Sequence, residues 1–100
     1  MISTLAAAYS GIRSAQVRHA NSAYNVANLL TENYRNVRTI QRELPEGGSE
    51  AITVREPTPS EVDLAREFTE EVLAKTQLYA AVDVIRTQQS MTGTLLDIFA

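Results

Sequence analysis

Asp63, Glu67, Glu70 and Glu71 crowd the start of one predicted helix, and paired acids at that spacing are residue types that serve general acid–base catalysis or hold a divalent cation. Acids at a helix start have plainer uses, capping its first amides and solvating its outer face, and the sequence favours that reading. No nucleophile–base constellation accompanies them. His19 is the chain's one histidine and there is no cysteine, so no metal set can be completed around it. It reads as a packing or hydrogen-bonding residue. Gly47-Gly48-Ser49 lacks the lysine and the strand-to-helix setting of a phosphate loop. The chain is therefore expected not to be an enzyme and to use no metal or cofactor.

Asn21, Asn25 and Asn28 offer different chemistry, because a side-chain amide donates and accepts together and can fix register across a helix interface. A solvated polar face is the other reading. Placed at 100° steps, these residues share a side with Ser10 and Ser14, where a simple solvated helix would favour Lys and Glu. That uncharged face is expected to want partners other than water.

The elements that carry these residues follow from periodicity. Leu5, Tyr9, Ile12, Ala23, Val26, Ala27 and Leu30 form one apolar stripe, which predicts an amphipathic helix from about residue 3 to 32, ending near Asn33, the non-glycine type that best tolerates a left-handed backbone. A linker follows, with Pro45-Glu46-Gly47-Gly48-Ser49 and Pro57-Thr58-Pro59. Thr39–Leu44 and Ala51–Arg55 flank the glycines with β-branched residues, enough for a small β-hairpin. A second helix is expected to start near Thr58-Pro59-Ser60-Glu61, or at the shifted Ser60/Asp63 box, and to run to about residue 98.

That helix has two apolar stripes. Leu64, Ala65, Phe68, Val72, Tyr79 and Val82 form one, and Val62, Leu73, Ala80, Val84, Met91, Leu95 and Ile98 the other. One neighbouring helix cannot cover both, so periodicity predicts self-association. The fold expected is all-α: two long helices from the chain termini, paired as an antiparallel helical hairpin or coiled coil and joined by a short linker with room for a small β-hairpin. The segments are 1–35, 36–60 and 61–100, one structural unit.

Of the 100 residues 44% are hydrophobic and 21% charged, ordinary for a folded protein. The net charge of −3 argues against general nucleic-acid binding. It is uneven: Arg13, Arg18 and Arg35 against Glu32 leave residues 1–35 at +2, while residues 61–100 stand at −4. Exposed pairs contribute only ~0.2–1 kcal/mol each, so this bias helps to choose a partner and does not hold helices together. No apolar run approaches the ~20 residues needed to span a bilayer. The start Met1-Ile2-Ser3-Thr4-Leu5 lacks a basic region and reads poorly as a cleaved signal.

Two blocks carry a family resemblance. The first reads Ser10-Gly11-Ile12, Ala15, Asn25-Val26-Ala27-Asn28, Thr31 and Tyr34-Arg35; the second reads Val62-Asp63-Leu64-Ala65, Glu67, Ala74, Tyr79, Val84-Ile85, Met91 and Leu95-Leu96-Asp97. Together they resemble the paired terminal helices of bacterial flagellar basal-body rod and hook axial proteins. The resemblance implies a structural subunit that is exported unfolded by the flagellar type III apparatus without a cleaved signal. It would polymerise with copies of itself and with other rod or hook proteins into an axial tube, the periplasmic rod of the basal body. The uncharged face and the second apolar stripe, weighted by the resemblance at Asn25, Asn28, Tyr34 and Tyr79, place the expected assembly interface at Asn21, Asn25, Asn28, Tyr34, Leu73, Tyr79, Val84, Met91, Leu95 and Ile98. Helix pairing falls to Leu5, Ile12, Val26, Leu30, Phe68, Val72 and Val82. The chain departs from the family in its short middle, in Arg18-His19 and in Asn33 where glycine is usual. The alternative is a helical adaptor or chaperone-like module for flagellar or type III export proteins.

Overall fold

The computed structural model describes residues 2–99. Helix α1 spans Ile2–Ala27, strand β1 Val37–Glu43, strand β2 Ser49–Arg55 and helix α2 Leu64–Phe99. The all-α expectation is corrected: the linker forms a two-stranded antiparallel sheet, and the fold is mixed α/β. The hairpin that the linker had room for is present, each strand starting two residues earlier than expected and β1 ending one residue earlier.

Local chemistry sets the boundaries. The helical ladder tightens at Asn28, whose N–H lies 3.2 Å from the Tyr24 carbonyl and 3.1 Å from that of Asn25, and Leu29 N–H then bonds Val26 O at 3.1 Å. Asn28 Nδ2 takes the Tyr24 carbonyl as well, at 2.9 Å, so the helix stops earlier than the expected residue 32. Asn33 does adopt the left-handed conformation, with φ 55°, but in the turn beyond the helix. The start of α2 is set by Asp63, whose Oδ1 accepts from the N–H groups of Ala65 (3.0 Å) and Arg66 (3.3 Å). Ser60, a candidate cap in the sequence, is used elsewhere, accepting from Asn36 Nδ2 at 2.9 Å.

The helices run antiparallel, as Arg18 with Glu70 and Gly11 with Ala81 show. Their seam is made of small residues. Ala8, Ala15 and Ser22 on α1, and Glu67, Ala74 and Ala81 on α2, recur every seven residues and are all buried. A Cβ placed on Gly11 would lie 3.5 Å from the Ala81 Cβ, so the backbones approach closely. This corrects the expected pairing set. Leu5, Ile12 and Val82 are half-buried at the margins, while Val26, Leu30, Phe68 and Val72 face outward, with Leu30 93% and Phe68 71% exposed. Large side chains would hold the axes apart; small ones admit the polar bonds that close this seam.

The hairpin packs on α1 and on no part of α2. Alone, a two-stranded hairpin is marginal in water. Here the uncharged face of α1 supports it. Ser10 Oγ accepts from Ser49 N–H (3.1 Å), Ser14 Oγ lies 3.2 Å from Ser49 Oγ, and Asn21 Nδ2 donates to the hydroxyls of Thr39 (2.9 Å) and Thr53 (3.0 Å). The tight turn needs its glycines, with φ 100° at Gly47 and 83° at Gly48. Gly48 is also pressed on α1, where a Cβ would sit 2.5 Å from Ser10 Oγ and 3.2 Å from Ala7 Cα.

Candidate assembly surface

Asn25 joins all three parts of the molecule. Its Nδ2 donates to the Val37 carbonyl (2.8 Å) and to Glu67 Oε1 (3.2 Å), while its Oδ1 accepts from the Tyr34 hydroxyl (2.6 Å) and Val37 N–H (2.9 Å). Four bonds use the amide in full. Ser22 Oγ adds a bond to the Glu67 carbonyl oxygen at 3.0 Å. Asn25, Ser22, Glu67 and Tyr34 are all buried. Burial pushes the Tyr34 hydroxyl above its ordinary pKa; the Arg55 guanidinium opposes the rise, and Tyr24 and Glu67 add to it. Arg55 lies over both tyrosine rings, 5.8 Å from the centroid of Tyr24 and 5.9 Å from that of Tyr34.

The expected intermolecular role of the asparagine face is thereby revised. Asn21 and Asn25 spend their amides on the hairpin and on Glu67, Asn28 terminates α1, and Tyr34 is inside. These four are committed within the chain. The uncharged character of the face was a true signal of partners other than water, and the partners are the chain's own hairpin and α2.

The acids at the head of α2 are engaged too. Asp63 caps, Glu67 meets Asn25, Glu70 pairs with Arg18, and Glu71 Oε2 lies 2.7 Å from His19 Nδ1. Arg18 reaches further, donating to Gln41 Oε1 at 3.0 Å, so one guanidinium spans from α2 to β1. Glu67 is the exception to the solvated face expected of this acidic cluster. Among the described residues, no three His, Cys, Asp or Glu side chains group closely enough to hold a metal ion.

The remaining interface candidates lie outside. Leu73 (49% exposed), Tyr79, Val84, Met91 (66%), Leu95 and Ile98 (71%) are all exposed on α2. Every residue from Gln89 to Phe99 is exposed as well. The antiparallel offset brings the start of α1 opposite about residue 88 of α2, which leaves roughly 15 Å of α2 beyond its partner. An open groove of about 660 Å³ begins at this overhang, lined by Thr4, Val84, Met91 and Leu95. The buried apolar residues are few by contrast: Ala8, Ala15, Tyr34, Val37, Val62, Ala74 and Ala81.

Glu67, Ser14, Ser22 and Gly48 hold the molecule together. From the sequence Glu67 was expected on a solvated face, Ser14 on the uncharged face and Gly48 in the turn, and Ser22 was not singled out. The seven-residue recurrence of small residues along α1 and α2 was the available signal. No known protein family matches the chain, and no curated protein resembles it in sequence. The likeness to rod and hook proteins rests on the two residue blocks alone. No helix among the described residues is long and apolar enough to cross a membrane.

Proposed function

We propose that this chain is a structural subunit that assembles through the outward apolar faces of its helices into an axial tube of the flagellar rod type. The supporting observation is the inversion of the helix pair: small and polar residues fill the seam, and Phe68, Leu73, Tyr79, Met91, Leu95 and Ile98 stand in solvent. Exposed apolar side chains repeated along a helix in this way mark an association surface. The two residue blocks that resemble rod and hook proteins supply the kind of assembly, with copies of the chain and related axial subunits as partners. They likewise supply the proposed route and place: the type III export apparatus and the periplasmic rod of the basal body.

A dilution series by sedimentation tests the first step, with concentration-dependent oligomers expected. A compact monomer at all concentrations would overturn the proposal. Purified basal bodies test the second: a structural subunit stays with the rod. A chain that leaves it and binds an unrelated export protein through Leu73, Val84, Met91 and Leu95 is an adaptor instead.

A further inference from the structure

The hydrogen-bond ladder determines which atoms lie on the open edges of the sheet. Glu56 N–H bonds the Asn36 carbonyl (2.9 Å) at one end and Leu44 N–H bonds that of Gly48 (3.1 Å) at the other. In the register Arg38↔Val54, Ile40↔Ile52, Arg42↔Glu50, these even-numbered partners exchange the in-chain bonds, and the odd-numbered residues point theirs outward. Helix α1 satisfies two of the outward positions, Val37 through Asn25 and Ser49 N–H through Ser10 Oγ. Ala51, Thr53 and Arg55 on β2 present N–H and C=O groups that no described residue meets, as do Thr39, Gln41 and Glu43 on β1.

The two edges differ. Strand β1 lies on the α2 side of α1 without touching α2, because the α1 side chains Asn25 and Arg18 each bond both β1 and an α2 carboxylate. The β2 edge lies on the opposite flank, capped only at Ser49. It contains no proline, lysine or bulge of the kind that protects exposed edges.

We propose that the β2 edge pairs with the β2 edge of a second copy, antiparallel about a two-fold axis, to make a four-stranded sheet. Setting Ala51 opposite Thr53 of the second copy gives four backbone hydrogen bonds and puts Ile52 on the axis, facing its own counterpart. Ile40 and Ile52 of both copies then form one row across the sheet, and Glu50 faces Val54, so no like charges meet. The same pairing of two β1 edges would oppose Arg38 and Arg42 twice. Pairing β2 with β1 would drive the second copy's α1 into the space of α2. Spacing agrees as well: each hairpin occupies ~9.6 Å of sheet, within the ~8–10 Å between packed helix axes. The two α1 helices therefore meet beneath the sheet along the flank of Val17, Ala20 and Tyr24. A two-fold contact closes at two copies. It uses no residue of the α2 stripes and leaves them free for further assembly.

The absence of cysteine makes the test clean. Ile52→Cys puts the sole thiol on the axis, where facing Cα atoms of such a pair stand ~4.5 Å apart, within the ~4.4–6.8 Å that disulfides span. Mild oxidation is expected to yield a disulfide-linked dimer at least ~10-fold faster than for Ile40→Cys, on the same face one strand away. Equal rates overturn the proposal. In the unaltered chain, exchange of the Ala51 and Thr53 amides is expected to slow ~10-fold or more with rising concentration, while that of Thr39 and Gln41 does not. Exchange at Ala51 and Thr53 that is independent of concentration overturns it, whatever the cysteine variants do.

Discussion

Around Asn25 polar groups are buried and matched to one another, whereas from Gln89 to Phe99 α2 holds out Met91, Leu95, Leu96, Ile98 and Phe99, all exposed. The first region is complete within one chain. The second has side chains suited to a core and no core. Directional bonds between small residues specify how the helices and hairpin meet, and the large apolar groups are left for contacts between molecules. Register and adhesion are therefore carried by different residues and can be separated by mutation.

The strongest way to break this contrast is Asn25→Leu, which strands the Val37 backbone, the Tyr34 hydroxyl and the buried Glu67 carboxylate. Each buried polar group left without its partner costs about 1–3 kcal/mol, more for a charged one, and urea unfolding is expected to report a loss of at least that size. A loss under about 1 kcal/mol would mean that the junction is not what orders the fold. Gly48→Ala comes next, at about 1–3 kcal/mol, from its left-handed backbone and the crowding by Ser10 and Ala7. Its signature is loss of hairpin amide protection ahead of helix content.

Tyr34→Phe is a smaller change, about 1 kcal/mol for one hydrogen bond. Its pH dependence is more telling. Because burial raises the Tyr34 pKa in the folded state, the neutral hydroxyl's contribution is complete below the unfolded value of 10.0 and is lost as pH rises through the higher folded value. Stability of the unaltered chain should fall there, and the phenylalanine variant should lose that share of the decline. Leu95→Ser lies at the other end of the scale, with monomer stability unchanged within about 0.5 kcal/mol. Association should nevertheless weaken ~10-fold or more by sedimentation, equivalent to about 1.4 kcal/mol. A variant that unfolds the monomer instead would erase the distinction between the two regions.

Much of the architecture was legible in the sequence: two helices from the chain ends, a turn-rich middle with strand-forming flanks, the left-handed Asn33, and an asparagine face that called for partners. The seam was not. Alanine is both the best helix former and a close-packing residue, so the residue type of Ala8, Ala15, Ala74 and Ala81 carries no mark, and only their seven-residue spacing does. Amphipathic reasoning assigns the largest apolar side chains to the inside; in this chain Phe68 is outside because the seam is too narrow for it, and Leu30 is outside because α1 ends at Ala27. Glu67 escaped for a related reason: an acid among acids reads as solvated until the buried amide that meets it is seen.

The small-residue seam has a calorimetric consequence. Heat-capacity change on unfolding follows the apolar area exposed, and with four alanines among the seven buried apolar residues described the isolated chain has little to expose. Its unfolding should show a small heat-capacity increment, a shallow denaturant slope and a broad melting curve. Copies joined through their outer faces should melt more sharply, as the same side chains acquire an interior only in company.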